Sequence, residues 1–122
     1  MAYLDDDNYV KFDMVATNAA GAAVSTNLEL LNEVAGVVTP NNVNNIPRGD
    51  IWLRLSRIGD EFEASYSLDG TDWTTVANRA ANAAVAADGS VGVFTIGTNQ
   101  SAPCRSASTT SGWSGTTPLL PR

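Results

Sequence analysis

The chain has no histidine and one cysteine, Cys104. The first absence removes Ser–His–Asp triads, histidine-ligated zinc sites and imidazole general bases together. The second removes a disulfide framework and any thiolate metal cluster. Basic residues are scarce: seven Lys and Arg stand against 13 Asp and Glu, for a formal net charge of −6. With no basic stripe, nothing is available to neutralise a phosphate backbone or an anionic bilayer, so neither nucleic acid nor membrane is an expected partner. No apolar run approaches the roughly 18 residues of a membrane-spanning helix, and the opening Met1-Ala2-Tyr3-Leu4-Asp5 is not a signal peptide. Charge of either sign is thin, at 16% of residues against about a quarter in an average globular chain.

Asn, Thr, Ser, Ala and Gly take the place of that charge, while hydrophobic residues make up an ordinary 43%. Solubility carried by hydroxyls and amides suits an extracellular β-protein, so a secreted or extracellular origin is expected, with a leader or upstream domain absent from this chain. A length of 122 residues suffices for one domain with a single hydrophobic core.

The pattern of that domain is clearest in residues 51–74, IWLRLSRIGDEFEASYSLDGTDWT. Ile51, Leu53 and Leu55 alternate with Trp52, Arg54 and Ser56, the period of a strand at 50–57. Gly59-Asp60 makes a hairpin turn, and 61–67 returns with Phe62, Ala64 and Tyr66 inward and Glu61, Glu63 and Ser65 outward. In 67–73, Asp69 is placed to cap turn N–H groups, Gly70 to supply a positive φ, and Trp73 to pack back on the hairpin. Upstream, 9–17 alternates Val10, Phe12 and Met14 against Tyr9, Lys11 and Asp13, after a polar turn at 5–8. Residues 18–26 are small and turn-like around Gly21, and 27–34 reads as a strand with Leu28, Leu30 and Asn32 opposite Glu29, Leu31 and Glu33. Its Leu and Glu also tolerate a helix, but Gly36, Val37 and Val38 following at once favour the strand. Two prolines and a run of asparagines make 39–49 a loop. A short strand at 73–77, an alanine-rich helical turn or loop at 78–87 and a strand at 91–97 follow. Strands separated by turns, without a convincing helix, indicate an all-β antiparallel sandwich.

From Cys104 onward alternation stops, and CRSASTTSGWSGTTPLLPR is a Ser/Thr/Gly run. One reading is a linker. The other is a shifted reading frame: codons compatible with residues 106–117 read, in an alternative frame, as a peptide such as GFDDFRVVGDD, an alternating strand with an acidic end. The expected organisation is a β-sandwich domain over 1–103 and an out-of-frame or irregular tail over 104–122.

DDDNYVK at 5–11, residues 28–34, WLRLSR at 52–57, YSLDGTDWT at 66–74 and VGVFTIG at 91–97 together carry a resemblance. On these segments the chain resembles the concanavalin A-like lectin/glucanase domains of secreted bacterial polysaccharide-active proteins, including the type at beta-xylosidase C-termini. The resemblance runs from about Tyr3 to Pro103, and GFDDFRVV resembles the family's closing strand. It implies a jelly-roll sandwich, here incomplete: the first strands are missing and the last is replaced. A sandwich cut in this way exposes sheet edges, so a homo-oligomer formed through those edges is expected.

The outward residues supply the candidate site. If their strands adjoin, Tyr9, Lys11, Asp13, Glu29, Leu31, Glu33, Trp52, Arg54, Glu61 and Glu63 share one surface. Aromatic rings stack on sugar C–H faces, and carboxylates and guanidinium groups hold hydroxyls. This makes Trp52 and Tyr9 the stacking candidates for a polysaccharide or oligosaccharide, with Arg54, Asp13, Glu29, Glu61 and Glu63 as polar contacts. The competing reading buries Trp52 beneath a missing or partner strand.

The leading function is thus a carbohydrate-binding module for a β-linked polysaccharide. The alternatives are a small glycoside hydrolase and a truncated scaffold without a ligand. Glu61 and Glu63 lie two apart on a strand, about 7 Å between carboxylates, within the roughly 6.5–9.5 Å of inverting glycosidases. They also fit a solvated strand face, and the E-x-D-x-E pattern of laminarinase-like relatives lacks its central Asp here. Asp5, Asp6 and Asp7 offer hard oxygen ligands for calcium, but their spacing is not that of an EF-hand and an acidic turn explains them equally. No other cofactor is expected.

Overall fold

The computed structural model describes residues 1–17 and 25–94. The turn expected around Gly21, the end of the 91–97 strand and the 104–122 tail lie outside the described residues. Met1–Gly92 forms one compact unit, and Val93–Arg122 is a second of which only Val93 and Phe94 are described.

The first unit is all-β in character. Its strands are β1 (Ala2–Asp5), β2 (Asn8–Thr17), β3 (Ser25–Val34), β4 (Val37–Val43), β5 (Trp52–Ile58), β6 (Glu61–Ser67), β7 (Thr74–Thr75), β8 (Ala80–Ala81) and β9 (Ser90–Val91), with one short helix, α1 (Ala83–Asp88). They form two antiparallel sheets. The first runs β4-β3-β2-β1-β9; the second runs β5-β6-β7, with β8 also paired to β6.

Alternation decides which side of each strand is buried. Val10 and Phe12 of β2 and Leu28 and Leu30 of β3 join Phe62 and Ala64 of β6 in one hydrophobic cluster, completed by Ala2, Ile46, Val76, Ala80, Val85 and Ala86. Phe62, Leu28 and Val10 are almost wholly removed from water, each contributing about 1.5–3 kcal/mol relative to an exposed side chain. Met14 keeps the phase of Val10 and Phe12 yet is 41% exposed.

The expected loop at 39–49 is corrected in part, because 39–43 belongs to β4, which pairs with β3 from Leu28↔Val43 to Val34↔Val37. Pro40 is tolerated because β4 ends the sheet, where a missing N–H interrupts no second ladder. The strand expected at 50–57 runs over Trp52–Ile58, and the one at 73–77 contracts to Thr74–Thr75. The alanine-rich segment supplies both β8 and α1. In the 91–97 segment the described strand is Ser90–Val91, and 92–94 are not strand.

The two ends of the first sheet's hairpins are fastened together. Ala35 and Gly36 both take positive φ, 50° and 77°, the requirement of a two-residue type I′ turn. Ala35 N–H donates to Asn8 Oδ1 at 3.0 Å, and Gly36 N–H donates to the Asp7 carbonyl at 2.9 Å. The 5–8 turn therefore holds the β3–β4 turn, which helps keep an alanine in a backbone region that ordinarily disfavours it.

Asn82 ties the sheets to the helix. Its side chain is buried, accepts from Val85 N–H as the helix cap, and donates to Asn32 Oδ1 and the Glu33 carbonyl at 3.1 and 2.9 Å. Its own N–H donates to the Asp60 carbonyl at 3.0 Å, in the β5–β6 turn. Asn32 completes the link by donating to the Ala81 carbonyl. This is why the inward run Leu28, Leu30, Asn32 ends on a polar residue.

Candidate functional site

The single platform proposed from the sequence separates into two. Tyr9, Lys11, Asp13, Glu29, Leu31 and Glu33 lie on β2 and β3, whereas Trp52, Arg54, Glu61 and Glu63 lie on β5 and β6 of the other sheet. On β2 and β3, and at Glu61 and Glu63 of β6, these residues alternate with buried ones and so face away from the shared core. Strand β5 holds no buried residue, and Trp52 and Arg54 are placed on the Glu61 and Glu63 side by their pairing with Ser67 and Ser65 of β6. The correction has a simple cause: strand period tells which residues share a face of one strand, but not which strands are neighbours.

On the first sheet, register places Tyr9 opposite Glu33, Lys11 opposite Leu31, and Asp13 opposite Glu29. Lys11 Nζ lies 3.1 Å from Glu29 Oε2 and 3.3 Å from Asp13 Oδ2, all three side chains being largely covered. Burial pushes the Asp13 carboxyl above its ordinary range, outweighing the opposing pull of Lys11. Its Oδ1 is buried and accepts no hydrogen bond among the described residues. The Tyr9 hydroxyl is raised chiefly by its hydrogen bond to Glu33. The charges of this face are thus matched mainly to one another.

The second sheet is organised around aromatic rings. Trp52 is 43% exposed and rests on the β6–β7 turn. A Cβ built on Gly70 would lie 3.2 to 3.5 Å from three contiguous atoms of the Trp52 ring, so the turn backbone sits against one ring face. Gly70 has a φ of +79° and no side chain, and both properties are needed there. Two residues along β5, the Arg54 guanidinium carbon lies 3.7 Å from the centroid of the Trp73 ring, a cation–π contact. Trp73 lies just beyond the turn, and Ser65 and Ser67 are buried on the same strand face.

The turn itself is built as its sequence suggested. Asp69 Oδ1 accepts from Thr71 N–H and Asp72 N–H, both at 2.8 Å, and from the Ser67 hydroxyl at 2.9 Å. The backbone donors of Asp72 and Thr71, then the Ser67 hydroxyl, hold its carboxyl below the usual range.

Farther along this face, Arg79 joins Glu61 and Glu63. Its Nη1 is 3.3 Å from Glu61 Oε2 and its Nη2 is 3.1 Å from Glu63 Oε2. A guanidinium therefore bridges the two carboxylates that were candidates for acid–base work. Sequence reading passed over Arg79; the signal was a lone cation in an alanine-rich stretch, with nothing to indicate its partners.

The 5–7 aspartates serve the turn. Asp5 Oδ1 accepts from Asp7 N–H and Asn8 Nδ2, and Asp6 Oδ1 accepts from the Tyr3 hydroxyl. Among the described residues no group of three or more His, Cys, Asp or Glu side chains is disposed to hold a metal ion. No helix among them is long and apolar enough to cross a membrane.

A cavity of about 260 Å³ lies beside the same β6–β7 turn, lined by Tyr66, Ser67, Leu68, Asp69, Asp72 and Thr74. Tyr66 was assigned to the core by its phase and packs against it while also lining this space. Comparison with known proteins finds no matching family model, no matching curated protein and no matching solved structure.

Proposed function

We propose that the domain is a non-catalytic carbohydrate-binding module for a β-linked polysaccharide, with its binding surface on the outward face of the second sheet. The observation that carries this reading is Trp52, backed on one side by Gly70 and 43% exposed. A rigid indole with accessible ring surface is the group that stacks on the C–H face of a pyranose at little conformational cost. Arg54, braced on Trp73, stands beside it as a donor to hydroxyls. Glu61 and Glu63, held by Arg79, extend the polar rim. Tyr9, Asp13 and Glu29 lie on the other sheet and fall outside this surface.

The reading includes a β-sandwich of concanavalin A-like, jelly-roll type, supported by the resemblance of segments such as 52–57 and 66–74 and by two antiparallel sheets contributing to one core. It includes a secreted origin, supported by the hydroxyl- and amide-rich composition. Self-association belongs to it too: β5 ends its sheet and carries exposed Trp52, Leu53 and Ile58, a surface suited to edge pairing. Light scattering at micromolar concentration tests that part, and a monomer refutes it.

Affinity electrophoresis through gels containing soluble glucans or xylans tests the binding. The parent chain is expected to be retarded and Trp52→Ala to lose most of the retardation. A parent that runs unretarded on every gel overturns the module. Release of reducing sugar, abolished by Glu63→Gln, would replace it with a hydrolase.

A further inference from the structure

The cavity beside the β6–β7 turn is distinct from the Trp52 surface, though one turn serves both. Gly70 supports the indole, while Ser67, Asp69 and Asp72 line the cavity. We infer that this cavity seats a single terminal pyranose unit, giving the domain a chain-end subsite next to its stacking surface. The inference rests on the carbohydrate-binding reading.

Size limits the occupant first. At about 260 Å³ the cavity has room for one sugar ring, and because it opens to solvent the rest of a chain would extend outward from it. The lining then defines the chemistry. Tyr66 is half-buried and packed against the core, so its ring is held in place. The Tyr66 hydroxyl, the Asp72 carboxylate and the Thr74 hydroxyl make no hydrogen bond or ion pair among the described residues and are offered to a ligand.

Asp69 plays a different part. Its Oδ1 is engaged by Ser67, Thr71 and Asp72, and these bonds fix the loop on which Asp72 is carried. An available carboxylate accepts hydrogen bonds from two neighbouring hydroxyls of a sugar, and Tyr66 and Thr74 can each donate or accept. An aromatic ring with Leu68 beside it supplies the apolar side that a pyranose C–H face needs. Two carboxylates in the lining disfavour an anionic occupant.

The test is a backbone amide NMR titration of the full chain with methyl pyranosides of gluco, galacto, manno and xylo configuration. At least one glycoside is expected to give saturable shifts centred on Ser67, Leu68, Asp72 and Thr74. Asp72→Ala should weaken that binding about tenfold or more, and Tyr66→Phe should weaken it less. Both variants change groups without partners among the described residues, so a matching far-ultraviolet spectrum should verify their folds. Trp52→Phe, which keeps an aromatic ring beside Gly70, should leave the monosaccharide shifts in place while weakening retardation by polysaccharide.

If polysaccharide is retained through Trp52 but no glycoside shifts the cavity amides, the subsite is overturned and the module stands. If the glycosides bind at the cavity but no polysaccharide is retained, the subsite stands and the Trp52 surface falls. Failure of both overturns both. Shifts produced by butylammonium and by no glycoside would make the cavity a cation site and overturn the inference.

Discussion

The outward face of the first sheet and that of the second contain similar kinds of side chain in different states of engagement. On β2 and β3, Lys11 reaches Glu29 at 3.1 Å and Asp13 at 3.3 Å, and Tyr9 stands opposite Glu33 in the strand register. Much of this face is occupied by its own pairings. On β5 and beyond, Arg54 lies against Trp73 and Trp52 lies against a glycine. Those contacts fix position while leaving ring surface and guanidinium donors available. Charge on a sheet surface is thus a poor indicator of a binding face by itself; the more useful one is whether a group's best partner is already present. Aromatic side chains supported from behind by a turn satisfy that condition; the ion pairs of Lys11 on the first sheet and of Arg79 on the second do not, which confines Glu61 and Glu63 to the rim of the second face.

Asn82 offers the largest test of whether the two faces belong to one folding unit. It caps α1, binds Asn32 and Glu33 of the first sheet, and receives its own backbone link from the β5–β6 turn. Asn82→Ala removes the cap and leaves the Glu33 carbonyl without that donor, for an expected loss of about 2–3 kcal/mol in urea unfolding. In a Trp113→Phe background, fluorescence of Trp52 and Trp73, which reports on the second sheet, and far-ultraviolet circular dichroism should still change together. Separate transitions would show that the sheets melt independently, and the comparison of their faces would then be one between two loosely joined parts.

A smaller effect is expected from Lys11→Met, which probes the first face alone. It leaves Asp13 and Glu29 close together without their shared cation. Because these side chains retain some exposure, 21% and 27%, the expected cost is about 1–2 kcal/mol, below that of breaking a fully buried pair. Retardation by polysaccharide should be unchanged. A Lys11→Met protein that keeps its stability but loses retardation would move the binding surface to the first sheet.

Much of the fold was legible because strand period and turn chemistry are local. Val10 with Phe12, Leu28 with Leu30 and Phe62 with Ala64 announce the buried side by alternation, and the 67–73 segment announces its turn through Asp69 and Gly70. What was missed depends on partners distant in sequence. Strand 37–43 was hidden by Pro40 and its asparagines, which are acceptable only because β4 has a free side. Asn82 lies 50 positions from Asn32, to which it donates, and nothing near either residue signals the other. The supposed common platform failed for the same reason: Tyr9 and Trp52 have the right phase on their own strands, but the strands belong to different sheets. In the cavity, Tyr66 reads as core from its phase alone, and only the folded turn brings Asp72 and Thr74 to it.

The comparison extends to acid, where Asp13 and Asp69 respond with opposite sign. Burial raises the Asp13 carboxyl above its unfolded value despite Lys11. Its favourable contribution to folding is therefore full below the ordinary carboxylate pKa and is lost as pH rises through the raised one. For Asp69, the N–H groups of Asp72 and Thr71 and the Ser67 hydroxyl hold the pKa down. Its contribution is present above the ordinary value and is lost as pH falls through the depressed one. Between about pH 3 and about pH 7, Asp13→Asn should therefore gain stability relative to the parent as pH rises, while Asp69→Asn should lose it. Urea midpoints measured across that range decide the matter. If both variants keep a constant offset from the parent, neither carboxylate is held differently in the folded and unfolded chains. A trend in Asp69→Asn alone would mean that the first face is better hydrated than its geometry indicates, and that Lys11 fully compensates the burial of Asp13.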